Sequence, residues 1–209
     1  MKYTDVAWDF DGTLVDTYPL LTCVLRELLE QYGYVATTQE IHLKMTISIR
    51  NAIDYYAAEL GIEPEKLSEQ YVQLRTEKGL CLDAVMVYPG VPEVLKAIKE
   101  SGGRNHLYTN RNRLALEYLE AFDLLQYFDG FITAENIGRL KPAPDGMYVL
   151  LEQFQIKPER MLMVGDRAVD IDAAKAAGTD ACFYNTNGIE TPAGRDFEIN
   201  HIKELLQYL

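Results

Sequence analysis

The chain has 209 residues, 48% apolar and 25% charged, an ordinary globular balance with room for one core domain and a small inserted unit. A net charge of −12 and a pI near 4.7 oppose attraction to nucleic acid or to an anionic membrane surface, so neither is expected as a partner. No apolar run approaches the 18 or so residues that span a bilayer, and no basic segment followed by an apolar run opens the chain, so a cytoplasmic protein is expected.

The first element, residues 3–10, is short and apolar and ends at an Asp/Gly cluster, which reads as a buried strand. From 16 to about 87 the pattern turns helical. Leu20, Leu21, Val24, Leu25, Leu28 and Leu29 recur at helical spacing until Gly33 stops the run. Further helices are expected at 38–44, 48–60 and 64–79, with no strand in the block. Tyr88-Pro89-Gly90 marks a turn, after which the two kinds of element alternate. Helices are expected at 91–101, 113–122, 145–154, 168–177 and 201–208, and strands at 104–109, 130–133, 161–165 and 180–184. This alternation implies an α/β fold, a parallel sheet covered on both faces. The expected division is a core of 1–15 and 88–209 with a helical insertion of 16–87. There is no internal repeat. Cys23, Cys81 and Cys182 form no Cys-x-x-Cys pair and read as free thiols in a reducing compartment.

In such sheets ligands sit beyond the carboxyl ends of the strands. Asp9 and Asp11 follow the first strand, Thr109 and Asn110 end the second, and Gly165 and Asp166 end a later one. Lys141 lies in a loop between a strand and a helix. Residues spread through the sequence thus converge on one edge. Each alone has a structural explanation, as a turn, a helix cap or a solvated loop. The ordered set is far more specific than any member.

The residue types suit phosphoryl transfer. A carboxylate such as Asp9 can attack phosphorus and form an acyl phosphate. Asp11, two residues on, is placed to protonate the leaving oxygen and then deprotonate water. Gly12 permits a sharp turn, and the Thr13 hydroxyl and nearby amides are phosphate donors. Thr109 and the following amide of Asn110 would bind another phosphate oxygen. Asp166 and Asp170 add carboxylates to the same edge, and two such charges about 4 Å apart repel by roughly 4 kcal/mol at an effective dielectric near 20. A hard cation, Mg²⁺, would relieve this, and Lys141 would supply a second positive charge for the transition state.

The motifs Asp9-Phe10-Asp11-Gly12-Thr13-Leu14-Val15-Asp16-Thr17, Thr109-Asn110, Lys141-Pro142-Ala143-Pro144 and Val164-Gly165-Asp166-Arg167-Ala168-Val169-Asp170 resemble, in this order, those of the haloacid dehalogenase superfamily. The resemblance implies a Rossmann-like core with a helical cap, Asp9 as nucleophile and Asp11 as general acid/base. It implies Mg²⁺ held by Asp9, the Asp11 carbonyl and Asp166, with Asp170 bound directly or through water. The chain looks most like the phosphoglycolate phosphatase and β-phosphoglucomutase group, which implies a phosphatase acting on a small phosphomonoester. Dehalogenase members lack the second Asp present here as Asp11. Mutases of the group carry a His twelve residues after the nucleophile, where this chain has Leu21, so a phosphosugar mutase is the alternative rather than the main expectation. A non-catalytic ligand-binding protein is a third possibility, against which the matched nucleophile and acid argue.

In the cap, Arg50 is a candidate to pair with a substrate carboxylate or second phosphate, beside His42 and Lys44. A solvated helix face is the better explanation of each of the three. Tyr18, Tyr55 and Tyr56 are candidates for the pocket wall, with helical-core packing explaining Tyr55 or Tyr56 at least as well. Of Arg111 and Arg113, one is expected to reach the site and the other to lie on the surface. The sequence fixes neither the substrate nor the oligomeric state.

Overall fold

The computed structural model describes residues 2–186, 188 and 192–209. They divide into two compact units, Thr17–Met86 and the remainder, Met1–Asp16 with Val87–Leu209.

Thr17–Met86 is a four-helix unit of α1 (Tyr18–Gln31), α2 (Thr38–Ile47), α3 (Ile49–Leu60) and α4 (Pro64–Lys78). Pro19 and Pro64 lie in the first turns of α1 and α4, where a missing N–H costs nothing. A capping box opens α2: the Glu40 N–H donates to Thr37 Oγ1 (3.2 Å) and the Thr37 N–H to Glu40 Oε2 (2.8 Å). Ser48 caps α3 by accepting the Asn51 N–H at 2.9 Å. The apolar stripe of α1 packs Leu21, Leu25 and Leu28 against Ile53, Tyr56, Leu67 and Tyr71, all buried. Each buried leucine contributes about 1.5–3 kcal/mol.

The second unit begins with β1 (Asp5–Trp8). A short pair, β2 (Val15–Asp16) and β3 (Met86–Val87), marks where the chain leaves this unit and returns, and the Tyr88 N–H bonds the Leu14 carbonyl at 3.0 Å. Then follow α5 (Val91–Glu100), β4 (Arg104–Tyr108), α6 (Leu114–Ala121), β5 (Phe128–Ile132), α7 (Asp145–Gln153), β6 (Met161–Gly165), α8 (Ala168–Ala176), β7 (Asp180–Tyr184) and β8 (Phe197–Ile199). The sheet order is β5-β4-β1-β6-β7-β8, and every neighbouring pair is parallel. This is the Rossmann-like α/β arrangement. Val6, Ala7 and Trp8 are fully buried, as a strand covered on both faces requires. One core cluster joins Tyr108, Met163 and Phe183 of the sheet to Met147 and Leu150 of α7 and Ile171 of α8.

Four expectations need correction. The first strand is Asp5–Trp8 rather than 3–10, because the residues after it turn at once, with three successive amides folding back on the Phe10 carbonyl. The third expected strand starts two residues early, at Phe128. The block 16–87 is not free of strand, since Asp16 belongs to β2 and Met86–Val87 form β3. The final segment is a 3₁₀ helix, Ile202–Gln207, preceded by the unexpected β8. Three residues are too few for a periodic signal, and β8 is held by non-local partners: the Asp196 N–H bonds the Ala181 carbonyl, and the Asp196 carboxylate takes the Ala181 N–H, both at 2.8 Å.

At the amino ends of β1 and β4 lies a closed charge cluster. Asp5, fully buried, accepts from Arg104 Nε (2.7 Å) and Nη2 (3.1 Å), from the Thr4 hydroxyl (2.8 Å), and from His106 Nε2 (2.7 Å). With Asp5 ionised, this pairing places a proton on Nε2. Burial alone would raise the Asp5 carboxyl, but His106, Arg104 and Thr4 more than offset it and hold it below the ordinary carboxylate range.

Candidate active site

The opposite, carboxyl ends of the same strands build a second charged cluster. Directly after β1, the Asp9 N–H bonds the Val164 carbonyl at 2.9 Å and draws Asp9 toward β6. The chain then turns, with Gly12 at φ +86°. A Cβ at Gly12 would sit 2.1 Å from Asp166 Oδ2, so both the backbone angle and the close approach demand glycine. Gly165 plays the matching part at the end of β6, where a Cβ would lie 2.4 Å from the Asp170 side chain. Asp170 stands in the first turn of α8, and its Oδ2 accepts the Arg167 N–H at 3.1 Å.

The structure brings Asp9, Asp166 and Asp170 together. One carboxylate oxygen of each lies within 4.8 Å of the others, and all three are buried. Lys141 enters the same cluster. Its Nζ donates to Asp9 Oδ1 (2.7 Å) and to the Tyr108 carbonyl (2.8 Å), and it lies 2.5 Å from Asp170 Oδ1. Asp9 Oδ2 is buried and accepts no hydrogen bond among the described residues; Arg167 Nη2 stands 4.0 Å away. Burial and then the nearby Asp170 push the Asp9 carboxyl up against the pull of Lys141. Burial opposes the charge on Lys141, but Asp170 and Asp9 keep its ammonium above the ordinary lysine range.

Three buried carboxylates thus face one fully buried ammonium, and Asp9 Oδ2 has no donor among the described residues. Hard oxygen donors in this number fit a divalent cation of the Mg²⁺ type, and a cation there would balance the excess negative charge.

The remaining candidates divide. Thr109 is buried at the end of β4, its N–H on the Ile132 carbonyl (2.9 Å) and its hydroxyl accepting the Arg111 N–H (3.1 Å). The Asn110 side chain bonds the backbone of Lys141. The Thr13 hydroxyl is directed to Asp166 Oδ1 at 3.2 Å. Asp11 is partly exposed and pairs with Arg111, whose Nη1 lies 2.6 Å from its Oδ1. The Arg111 guanidinium is buried between the Phe10 and Tyr118 rings, 5.6 and 5.2 Å from their centroids. Of the two arginines after Thr109-Asn110, Arg111 therefore reaches the site residues, while Arg113 is exposed. The Asp11–Arg111 pair escaped the sequence reading because its members are 100 residues apart. The adjacency of Arg111 to Thr109-Asn110 was the available signal.

In the helical unit, Arg50 is exposed and pairs with Asp54 (2.7 Å) and Glu65 (3.0 Å). Lys44 Nζ lies 3.3 Å from the Tyr55 ring centroid, His42 stacks edge-on against Tyr18, and Tyr56 is buried in the helical core. The cysteines form no disulfide, and burial pushes the Cys182 thiol up to about 12, which leaves it inert as a nucleophile.

Residues 6–184 match the family model of haloacid dehalogenase-like hydrolases. The chain is 33% identical over 178 residues to a phosphoglycolate phosphatase of Nitrosospira multiformis, covering 82% of this chain and 78% of that protein. It is 28% identical to a phosphorylated carbohydrates phosphatase of Thermotoga maritima, covering 85% and 83%. The crystal structure of a predicted phosphoglycolate phosphatase from Haemophilus somnus shares the fold, with a TM-score of 0.84, 22% identity, and coverage of 100% and 98% of the two chains. Among the described residues no helix is long and apolar enough to cross a membrane. The chain belongs to the haloacid dehalogenase-like hydrolases, and within them to the phosphoglycolate phosphatase-like group of phosphatase enzymes.

Proposed function

We propose that the protein is a Mg²⁺-dependent phosphatase that hydrolyses a small phosphomonoester through an aspartyl-phosphate on Asp9. The observation that carries this reading is the meeting of Asp9, Asp166 and Asp170 with Lys141 at one strand edge, with one Asp9 oxygen left without a hydrogen-bond donor.

Asp9, the Asp11 carbonyl and Asp166 would hold the metal, with Asp170 bound directly or through water; when bound, it orients the phosphate and offsets its charge. An Asp9 oxygen attacks phosphorus, and the bond to the ester oxygen breaks. Asp11 gives its proton to the departing alkoxide, and the alcohol leaves. Water then attacks the phosphorus of the acyl phosphate, Asp11 takes its proton, and inorganic phosphate departs from the regenerated Asp9 carboxylate. To serve as acid, the Asp11 carboxyl must leave Arg111. Lys141 favours the ionised form of Asp9 and stabilises charge on the transferring phosphoryl group. The Thr109 hydroxyl and the Asn110 N–H bind the phosphate oxygens, whereas the Gly12 and Thr13 N–H groups are held by the Val15 and Phe10 carbonyls at 2.9 and 3.4 Å.

Phosphoglycolate and sugar phosphates are the substrate classes to which the named relatives point. A carboxylate-bearing ester would engage Arg50, which must first release Asp54 and Glu65. These pairs are exposed and easily exchanged.

The test is a phosphomonoester panel assayed with and without Mg²⁺, with Asp9→Asn as control. Metal-dependent phosphate release that Asp9→Asn abolishes, without loss of fold, is expected. Near-normal turnover by Asp9→Asn would remove Asp9 as nucleophile. Isomerised product with little free phosphate would favour a mutase.

A further inference from the structure

Lys141 sits on a loop, yet its ammonium must be placed within tenths of an ångström of Asp9 and Asp170. Its Nζ contacts explain where the charge ends, but not what fixes the backbone from which a four-carbon side chain reaches. The next residue, Pro142, has no N–H and so donates no backbone bond to hold the loop.

Asn110 supplies that hold. Its Oδ1 accepts the Lys141 N–H at 2.8 Å, and its Nδ2 donates to the Lys141 carbonyl at 2.9 Å. One side-chain amide therefore satisfies both backbone groups of one residue, 31 positions away. Only a carboxamide carries a donor and an acceptor at this spacing; a carboxylate lacks the donor, and glutamine is one carbon too long. Asn110 lies two residues beyond the end of β4. The clamp thus ties the lysine loop to a rigid element. Tyr108 adds a second tie, its hydroxyl donating to the Ala143 carbonyl at 2.8 Å.

We infer that the Asn110 side chain is a positioning residue for Lys141, rather than a direct phosphate ligand. The inference rests on the proposed role of Lys141. It assigns to the Asn110 side chain a task separate from that of its backbone N–H.

A double-mutant cycle tests it, with p-nitrophenyl phosphate and Mg²⁺ as the assay. Asn110→Ala is expected to lower kcat by about 10- to 100-fold, the scale set by displacing a catalytic group by about an ångström, while KM changes little. In a Lys141→Ala background the same change is expected to cost less than about 3-fold, because the group it positions is gone. An equal cost in both backgrounds, or a raised KM with kcat intact, would overturn the inference. If Lys141→Ala itself turns over normally, the reading of Lys141 is what fails, and the single-variant data reveal this directly. Asn110→Asp covers the case in which the alanine variant unfolds. It keeps the acceptor and the shape but loses the donor, so its kcat is also expected to fall, and wild-type kcat in that variant would equally overturn the proposal.

Discussion

The two ends of β1 and β4 each carry buried charge, and they resolve it in opposite ways. At the amino end, Asp5 meets Arg104, His106 and Thr4, and both carboxylate oxygens are satisfied. At the carboxyl end, Asp9 meets Lys141 on one oxygen only, and Asp166 and Asp170 crowd beside it. The first cluster is electrostatically complete, with a depressed carboxyl pKa; the second is incomplete, with a raised one. Two aspartates four residues apart, one opening β1 and one just past its end, are thus told apart by their partners. A closed cluster stabilises the fold, whereas an open one stores unfavourable negative charge that a cation can relieve.

Removing the cation from the open end breaks this contrast most sharply. Lys141→Ala is expected to lower kcat by about 10²- to 10³-fold, the usual scale for losing one preorganised charge at the transition state. Thermal unfolding should show little loss or a gain when saturating Mg²⁺ is present, because a divalent cation replaces the missing charge. Steady-state kinetics and unfolding scans across a Mg²⁺ titration check both.

Asp5→Asn should do the reverse. It leaves Arg104 and His106 without their carboxylate and is expected to cost about 3 kcal/mol of stability, with kcat of the folded enzyme unchanged. The effect carries a pH signature. The Asp5 carboxyl is depressed in the folded chain, so its stabilisation is complete above the unfolded value near 3.9 and is lost as pH falls through the lower folded value. The gap in unfolding midpoint between wild type and Asp5→Asn should hold from pH 7 to about pH 4 and close below that. A gap that persists unchanged at the lowest pH would show that packing, not ionisation, is responsible.

The smallest structural effect belongs to Arg50→Ala. Its ion pairs are exposed, so the unfolding midpoint should not move measurably. A rise in KM confined to substrates with a carboxylate or second phosphate would place Arg50 on the substrate. Equal KM values across neutral and anionic esters would confine it to the surface of the helical unit.

The fold class was legible because its signals are local. The apolar run at Val6–Trp8, the Leu-rich stripe of α1 and the alternation after Tyr88 each lie within one short window. β8 was not legible, because three residues joined to β7 by distant partners give no period to count. The edge on which Asp9, Lys141, Asp166 and Asp170 meet could be read from strand ends, since a parallel sheet sends every strand end the same way. The hydrogen bonds within that edge could not. Thr13 to Asp166, Asn110 to Lys141 and Asp11 to Arg111 join residues 153, 31 and 100 positions apart, and nothing in the spacing announces them. The Asp5 cluster was passed over for a related reason. A charged residue at the start of a short strand looks like a boundary until its partner across the sheet is known, and here register sets Asp5 opposite Arg104.

The most direct test of the central claim is to trap the enzyme during turnover of a phosphomonoester with Mg²⁺, reduce it with borohydride, and map the peptides by mass spectrometry. An acyl phosphate is reduced to the corresponding alcohol, so homoserine at Asp9 is the expected product, absent when substrate is omitted. Sustained turnover with Asp9 unmodified, or homoserine at Asp11, Asp166 or Asp170 instead, would contradict the account.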